Sequence, residues 1–246
     1  MDLRDPFLWY SVYEVIRRDM GYDLVRDLDA ALILRSMLNT PHFESSPLAT
    51  LNAAVNRKDA LVVGAGPNCV ECSEYAGSYD VVIAADGGLR CCRHVGVEPD
   101  IVVTDLDGLT VKDLLSFRGV VVVHAHGDNI DRVREFLSWL TRSDVELIGT
   151  VQVPTVDSRT FVFGGFTDGD RAAYLAYYFN AQKIGLAGFD MRGFVGRFSK
   201  PWLSSDVKAG RAKLRKLFWA SVLIHWLKSL GGADVECVAC EGEGWI

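Results

Sequence analysis

No run of the chain approaches the ~20 consecutive apolar residues that a membrane-spanning helix needs. The opening Met1-Asp2-Leu3-Arg4-Asp5 lacks the basic-then-apolar order of a secretory signal. No membrane partner is expected, and the sequence reads as cytoplasmic. Basic excess is missing too: 26 Lys and Arg stand against 32 Asp and Glu, a formal net charge of −6. That balance argues against nucleic acid, because non-specific binding to a polyanion needs a basic surface. Strand-like patterning is absent before residue 58. The six cysteines include two Cys-x-x-Cys pairs, Cys69 with Cys72 and Cys237 with Cys240, but most of the chain separates them. The short spacing that marks a four-thiolate zinc site is therefore lacking. Free thiols are the expectation, since disulfides inside a cell are a hyperthermophile's feature, and Cys91-Cys92 reads as helix packing.

With 49% apolar and 24% charged residues, the 246-residue chain has the composition of a soluble protein with a substantial core. Its size suits one large domain, or one domain with an appendage. The expected division is a helical N-terminal region over residues 1–57 and an α/β domain over residues 58–246. In the first, Phe7, Leu8, Val12, Val15 and Ile16 recur at helical spacing, and Leu28, Leu32, Leu34 and Leu38 predict a second helix. Pro41 and Pro47 bound a loop before a third helix, over residues 48–55. Trp9, Tyr10 and Tyr13 are expected in the core, where aromatic residues on a helix usually sit.

From Asp59 short β-branched runs alternate with helical spacing, which predicts a doubly wound, mostly parallel, Rossmann-like sheet. Residues 60–63 run into Gly64-Ala65-Gly66, and residues 81–85 into Asp86-Gly87-Gly88. Residues 101–104 run into Asp105-Leu106-Asp107-Gly108, and residues 120–123 into His124-Ala125-His126-Gly127-Asp128-Asn129. Further strands fall near 145–153, 160–163 and 183–188. Thr167 is a good N-cap for the helix after Gly164-Gly165-Phe166, and Asp170 can close a capping box. The first glycine turn lacks both the third glycine of the dinucleotide fingerprint and the Lys-Ser/Thr of a P-loop. A phosphate cradle and a plain tight turn explain it equally well.

Strand after strand thus ends in glycine and carboxylate. In a parallel doubly wound sheet those ends share one edge, which would gather Asp86, Asp105, Asp107, Asp128 and Asp190 around one crevice. Carboxylates this close repel one another unless a cation sits between them, and Mg²⁺ takes an all-oxygen site. Side chains two apart on an extended chain point the same way. Asp105 and Asp107, joined by Asp128, are therefore the expected metal ligands and catalytic carboxylates. Each alone is as well explained by a turn; the repetition is not. After Asp190 the chain becomes basic. Arg192, Arg197 and Lys200 lie in a glycine-containing loop, residues 191–201, suited to a lid over polyphosphate. Lys208, Arg211, Lys213, Arg215 and Lys216 read as a solvated helix face, with Leu214, Leu217, Phe218, Val222 and Leu223 packing inward.

In order and spacing, these motifs resemble the archaeal 6-hydroxymethyl-7,8-dihydropterin diphosphokinases, a group similar in fold to thiamine pyrophosphokinase. The resemblance covers roughly residues 59–201. It rests on Ala85-Asp86-Gly87-Gly88, on Pro99-Asp100-Ile101-Val102-Val103-Thr104-Asp105-Leu106-Asp107 and on His124-Ala125-His126-Gly127-Asp128-Asn129. It continues through Gly164-Gly165-Phe166-Thr167-Asp168-Gly169-Asp170-Arg171, Gly188-Phe189-Asp190 and Ser199-Lys200-Pro201. The aspartate-rich stretch and the Gly-Gly-Arg-x-Asp-His of thiamine pyrophosphokinases are absent, which points the acceptor away from thiamine.

The resemblance implies transfer of diphosphate from Mg·ATP to the hydroxymethyl group of the pterin with release of AMP, for folate or methanopterin biosynthesis. Within that reaction Mg²⁺ is assigned to Asp105, Asp107 and Asp128. The nucleotide is assigned to Gly64, Gly66, Asp86, Gly87 and Gly88, with Arg192, Arg197 and Lys200 on its phosphates. A pterin presents a guanidine-like edge that a carboxylate can accept in two hydrogen bonds. Asp168, Asp170, Asp190 and Asp86 are candidates for it, with Arg171 beside them; His124 and His126 are candidate proton acceptors. The alternatives are another alcohol acceptor, thiamine included, a metal-dependent glycosyltransferase, or a nucleotide-binding regulatory module. The expected partners are small molecules, and the sequence leaves a homodimer open.

Overall fold

The computed structural model describes residues 2–39, 47–154 and 160–241. Five strands follow one another in space as in sequence: β1 (Asp59–Val63), β2 (Val81–Ala85), β3 (Ile101–Thr104), β4 (Val120–Ala125) and β5 (Glu146–Val151). Short β6 (Thr160–Phe161) extends the row. The chain then returns to the far side of β1 with β7 (Lys183–Asp190), and β10 (Val235–Glu241) lies outside that. The order β10-β7-β1-β2-β3-β4-β5-β6 is parallel throughout, so a doubly wound parallel sheet is what forms. Continuous burial along β2, β3 and β4 reflects helices on both faces, which is why these strands read as unbroken apolar runs. A crevice opens where strand order reverses, between the carboxyl ends of β1 and β7.

Alternation along β1 sorts its side chains between two cores. Ala60 and Val62 join a large core, and Leu61 and Val63 a smaller one. The large core takes in α8 (Asp168–Tyr178) and α9 (Arg211–Ser229). It also takes in the N-terminal helices α1 (Pro6–Met20), α2 (Leu24–Leu38) and α3 (Pro47–Val55). Ile16, Leu34 and Leu51 are fully buried there beside sheet residues, so these three helices share the core of the α/β part. Trp9 and Tyr13 are core residues, as expected, and with Ile16 they form the inward stripe of α1. Phe7 and Val15 of the expected apolar set lie on its outer side, 77% and 57% exposed. Leu34 and Leu38 of α2 are buried, whereas Leu28 and Leu32 are exposed. The helix from Asp168 starts at the expected capping box, with Asp170 accepting from the amide of Thr167 at 2.8 Å.

The smaller core holds four cysteines around α4 (Cys72–Tyr75) and α5 (Gly88–His94). Cys69 is bonded to Cys91, and Cys237 to Cys240 on β10, while Cys72 and Cys92 are free and buried. Free thiols are therefore the outcome only for those two. Cys69, in the 3-10 turn over Pro67–Glu71 that precedes α4, pairs across to α5 rather than within its Cys-x-x-Cys, a choice made by packing and not by spacing. The expected loop over residues 191–201 contains a short strand, β8 (Phe194–Val195), which pairs antiparallel with β9 (Val207–Lys208). The remaining helices are α6 (Val111–Leu115) and α7 (Ile130–Leu140). Among the described residues, no helix is long and apolar enough to cross a membrane.

Candidate active site

A cavity of about 470 Å³ opens along the carboxyl ends of the strands. Because neighbouring strands lie about 4.8 Å apart, its lining maps onto strand order. Asp190 stands at β7, Gly64 and Gly66 at β1, Asp86 at β2, Asp105 and Asp107 at β3, His126 at β4 and Gln152 beyond β5. Asp168 and Arg171 enter from the first turn of α8, and Tyr22 from the α1–α2 turn. Lys200 enters from the β8–β9 segment, and Lys213 and Lys216 from α9.

At the centre, Asp86, Asp105 and Asp168 each offer a carboxylate oxygen, all within 4.8 Å of one another. Local backbone makes this convergence. Asp86 and Leu106 hold left-handed conformations, φ +48° and +72°, each costing about 1–3 kcal/mol for a non-glycine residue. The Thr104 hydroxyl donates to Asp86 Oδ1 at 2.6 Å and accepts the Leu106 amide at 2.8 Å, binding the end of β2 to the turn after β3. Leu106 is fully buried, which anchors that turn. Gly108 has to be glycine, because a Cβ there would strike the Asp86 carboxylate. Asn129 donates to the carbonyls of Asp105 and His124, both at 2.8 Å, and so fixes the β3 and β4 ends together.

The charges are unevenly compensated. Burial, then Asp105 and Asp107, push the Asp86 carboxyl up to about 7. Burial, then Asp105 and Asp86, also raise Asp168 well above the carboxylate range. Asp105 goes the other way: although burial opposes it, the His126 ring and Lys200 hold it ionised, well below the usual range. His126 Nε2 lies 3.5 Å from Asp105 Oδ2, and its Nδ1 accepts the Asp128 amide at 3.3 Å. The ring is therefore arranged to donate toward Asp105 through Nε2. His124 is buried beneath the site, its nitrogens engaged by Thr150 Oγ1 (3.1 Å) and Gln152 Oε1 (3.4 Å). Burial keeps it neutral, and it does not line the cavity.

Placement revises several expectations. The left-handed Leu106 removes the extended geometry that would have aligned Asp105 with Asp107. Both face the cavity, but Asp107 forms an ion pair with Lys200 instead of joining the three-carboxylate cluster. Asp128 is not brought there: it is solvent-exposed, with Arg26 Nη1 3.9 Å away. Asp86 and Asp168, read as nucleotide and acceptor contacts, converge with Asp105. Asp170 is wholly buried and engaged as a cap, also accepting the Phe166 amide at 2.6 Å. Arg171 Nη1 lies 3.4 Å from Asp168, and Nη2 donates to the Phe166 carbonyl at 2.7 Å. The amides of Gly64 and Gly66 already donate to β7, to Ala187 and Gly188 at 2.8 Å each, so these glycines offer a ligand close approach, not donors. Gly87 lines the cavity and Gly88 does not.

Of the three loop cations only Lys200 lines the cavity. Arg197 is exposed over the Phe198 ring, 4.9 Å from its centre, and Arg192 is exposed. Lys213 and Lys216 do line it, whereas both were read as a solvated face. The inner side of α9 is Ala220, Leu223, Ile224 and Leu227, leaving Leu214 and Phe218 exposed. Tyr22 and Gln152 carried no signal in the sequence, since neither belongs to a motif.

An acidic cluster facing lysines at the reversal point of a doubly wound sheet is a site with oxygen donors that could hold a cation and, beside them, ammonium groups that could meet an anionic ligand. Residues 35–193 match the family described as 6-hydroxymethylpterin diphosphokinase MptE-like. The chain is 41% identical over 232 residues to the 6-hydroxymethyl-7,8-dihydropterin pyrophosphokinase of Pyrococcus furiosus, covering 92% of this chain and 96% of that protein. Proteins of the same description from Methanothermobacter thermautotrophicus and Methanocaldococcus jannaschii are 37% and 32% identical, each across 93% of this chain and 97% and 96% of theirs. The chain belongs to this 6-hydroxymethylpterin diphosphokinase family, and it is a diphosphotransferase. Alignments of that extent necessarily take in most of the N-terminal helices, which fits their share in the common core.

Proposed function

We propose that the protein transfers the terminal diphosphate of ATP to the hydroxymethyl group of 6-hydroxymethyl-7,8-dihydropterin, in a Mg²⁺-dependent reaction that releases AMP. The observation that carries this is the convergence of Asp86, Asp105 and Asp168 opposite Lys200, Lys213 and Lys216. The three carboxylates fit a divalent cation: the donors are all oxygen, and burial and mutual repulsion raise two of them until a cation compensates. When bound, Mg²⁺ would neutralise oxygens of the transferred diphosphate. The chain's own part is positioning. Asp107 orients Lys200, His126 holds Asp105 and Arg171 holds Asp168. In the transfer the hydroxymethyl oxygen bonds to the β-phosphorus, the bond from that phosphorus to the bridging oxygen breaks, AMP departs and the hydroxyl proton is released. The deciding assay follows AMP by chromatography. AMP should appear only when ATP, Mg²⁺ and the hydroxymethyl pterin are all present, and faster diphosphorylation of thiamine would overturn the choice of acceptor.

Mg²⁺ affinity should depend on pH, because Asp86 must lose its proton to become a ligand. Asp168, raised by the same burial and repulsion, must lose a proton as well, so below pH 7 the apparent affinity is expected to rise by at least about tenfold per pH unit. In the metal-free protein the same shift has the opposite sign. The unfolded chain releases this proton near pH 4 and the folded one near 7, so stability from Asp86 falls as pH rises through that window. Calorimetric Mg²⁺ titrations at several pH values test this, and a flat affinity would refute it.

Lys200→Ala should weaken ATP use roughly tenfold or more, the effect of one lost charge-assisted contact. Arg197→Ala should leave kinetics near wild type, because that side chain points away over Phe198. Equal effects of the two substitutions would count against the placement of Lys200.

A further inference from the structure

Diphosphate transfer, on which this inference rests, needs two molecules to meet at the cluster from opposite sides. The cavity has two such sides. From β2 and β3 it runs one way to β1 and β7, and the other way to β4, β5 and the α1–α2 turn. With strands about 4.8 Å apart, each arm reaches roughly 10 Å from the carboxylates. We propose that the acceptor's ring occupies the β7–β1 arm with its amidine edge on Asp190, and that the nucleoside occupies the other arm beside Tyr22 and Phe166.

Asp190 carries the assignment. It lines the cavity at the last residue of β7 and is 5% exposed. Its Oδ1 accepts the Arg192 amide at 2.6 Å, but Oδ2 has no hydrogen-bond partner although it is buried. A buried carboxylate oxygen without a donor is unfavourable, and a ligand that supplies the donor removes the penalty. A pterin's amidine edge presents two adjacent N–H donors, at the 2-amino group and N3, and a carboxylate matches both. Adenine presents an amino donor next to the N1 lone pair, which a carboxylate repels. Asp190 therefore favours a pterin-type ring over the purine of ATP.

The surroundings agree. Gly64 and Gly66 donate their amides to β7, so neither is available to a phosphate. A Cβ on either would crowd the Gly188 carbonyl, at 2.7 Å and 2.5 Å, so the two turns pack backbone against backbone, and Gly64, Ala65, Gly66 and Gly188 give this arm a low floor beside Phe189, where a planar heterocycle can lie flat. The other arm offers stacking: the Tyr22 and Phe166 rings are 6.2 Å apart, with Lys216 5.9 Å from the Tyr22 ring centre. Its Gln152 is engaged by Tyr13, Asp27 and His124. Among the described residues Asp190 holds the one buried carboxylate oxygen lacking a partner.

The test measures two affinities separately on wild type and on Asp190→Asn, which keeps an oxygen for the Arg192 amide. The probes are 6-hydroxymethylpterin, followed by its fluorescence, and the α,β-methylene analogue of ATP with Mg²⁺. The pterin dissociation constant should rise roughly ten- to a hundredfold in the variant while that of the nucleotide stays within about threefold. A second probe, the analogue with a carbonyl oxygen in place of the 2-amino group, should bind wild type more weakly than the pterin does. In Asp190→Asn that preference should disappear. Loss of nucleotide affinity with pterin affinity unchanged would reverse the two arms and overturn the proposal, as would a variant that keeps the full preference for the amino group. A wild-type protein that binds no pterin would refute the acceptor itself, a failure visible before any variant is made.

Discussion

Asp105→Asn is expected to lower kcat/KM by on the order of 10²–10³, as removal of a central electrostatic group does, without unfolding the protein. Asp105 sits between two carboxylates, accepts the Asp107 amide at 3.2 Å and faces His126. An asparagine keeps that shape and removes one of the charges that raise Asp86 and Asp168. That relief is offset by the lost attraction of His126 and Lys200 for the Asp105 charge, so the metal-free variant should melt close to wild type. Asp107→Asn should have a smaller effect, felt through the orientation of Lys200. Asp128→Asn should be nearly silent, its side chain being exposed near Arg26. Steady-state kinetics and a melting curve on the three variants test the order Asp105, Asp107, Asp128. An inactive Asp128→Asn beside an active Asp105→Asn would reverse the placement of the metal site.

Asp27→Ala should be the most destabilising of the substitutions considered, although it lies outside the α/β part. Its carboxylate is 3% exposed and accepts the Tyr13 hydroxyl at 2.5 Å, the Gly127 amide at 2.8 Å and the Gln152 side-chain amide at 3.2 Å. Alanine would leave three buried donors short of an acceptor, a loss of about 2–4 kcal/mol. For a chain of this size that is roughly 5–15 °C in Tm. Because Gly127 adjoins His126, turnover should fall as well. Asp27→Asn retains an acceptor oxygen and should lie between the two, and an unchanged Tm in Asp27→Ala would show that this network carries little of the fold.

Much of the site was legible because it is written locally. Buried parallel strands need β-branched apolar runs, their ends need turn residues, and the Thr167–Asp170 cap involves residues three apart; each is a short-range requirement that leaves its mark in the order of residues. Asp105 and Lys200 could be placed in that way, and so could the crevice at the sheet's carboxyl edge. Strand-end position does not say where a side chain points, and Asp128 faces solvent near Arg26 instead of the cavity.

By itself, then, the amino-acid order determined the doubly wound sheet, the acidic edge and the family, since period, turn chemistry and motif spacing are properties of neighbours along the chain. Only the tertiary structure decided which carboxylates converge, that two lysines of α9 face them, that Cys69 bonds to Cys91, that Tyr22 of the α1–α2 turn lines the cavity and that Asp27 of α2 holds the Gly127 amide beside it. Those contacts join residues tens to more than a hundred positions apart. They depend on how sheet, helices and the β8–β9 segment pack together, and no local preference encodes that.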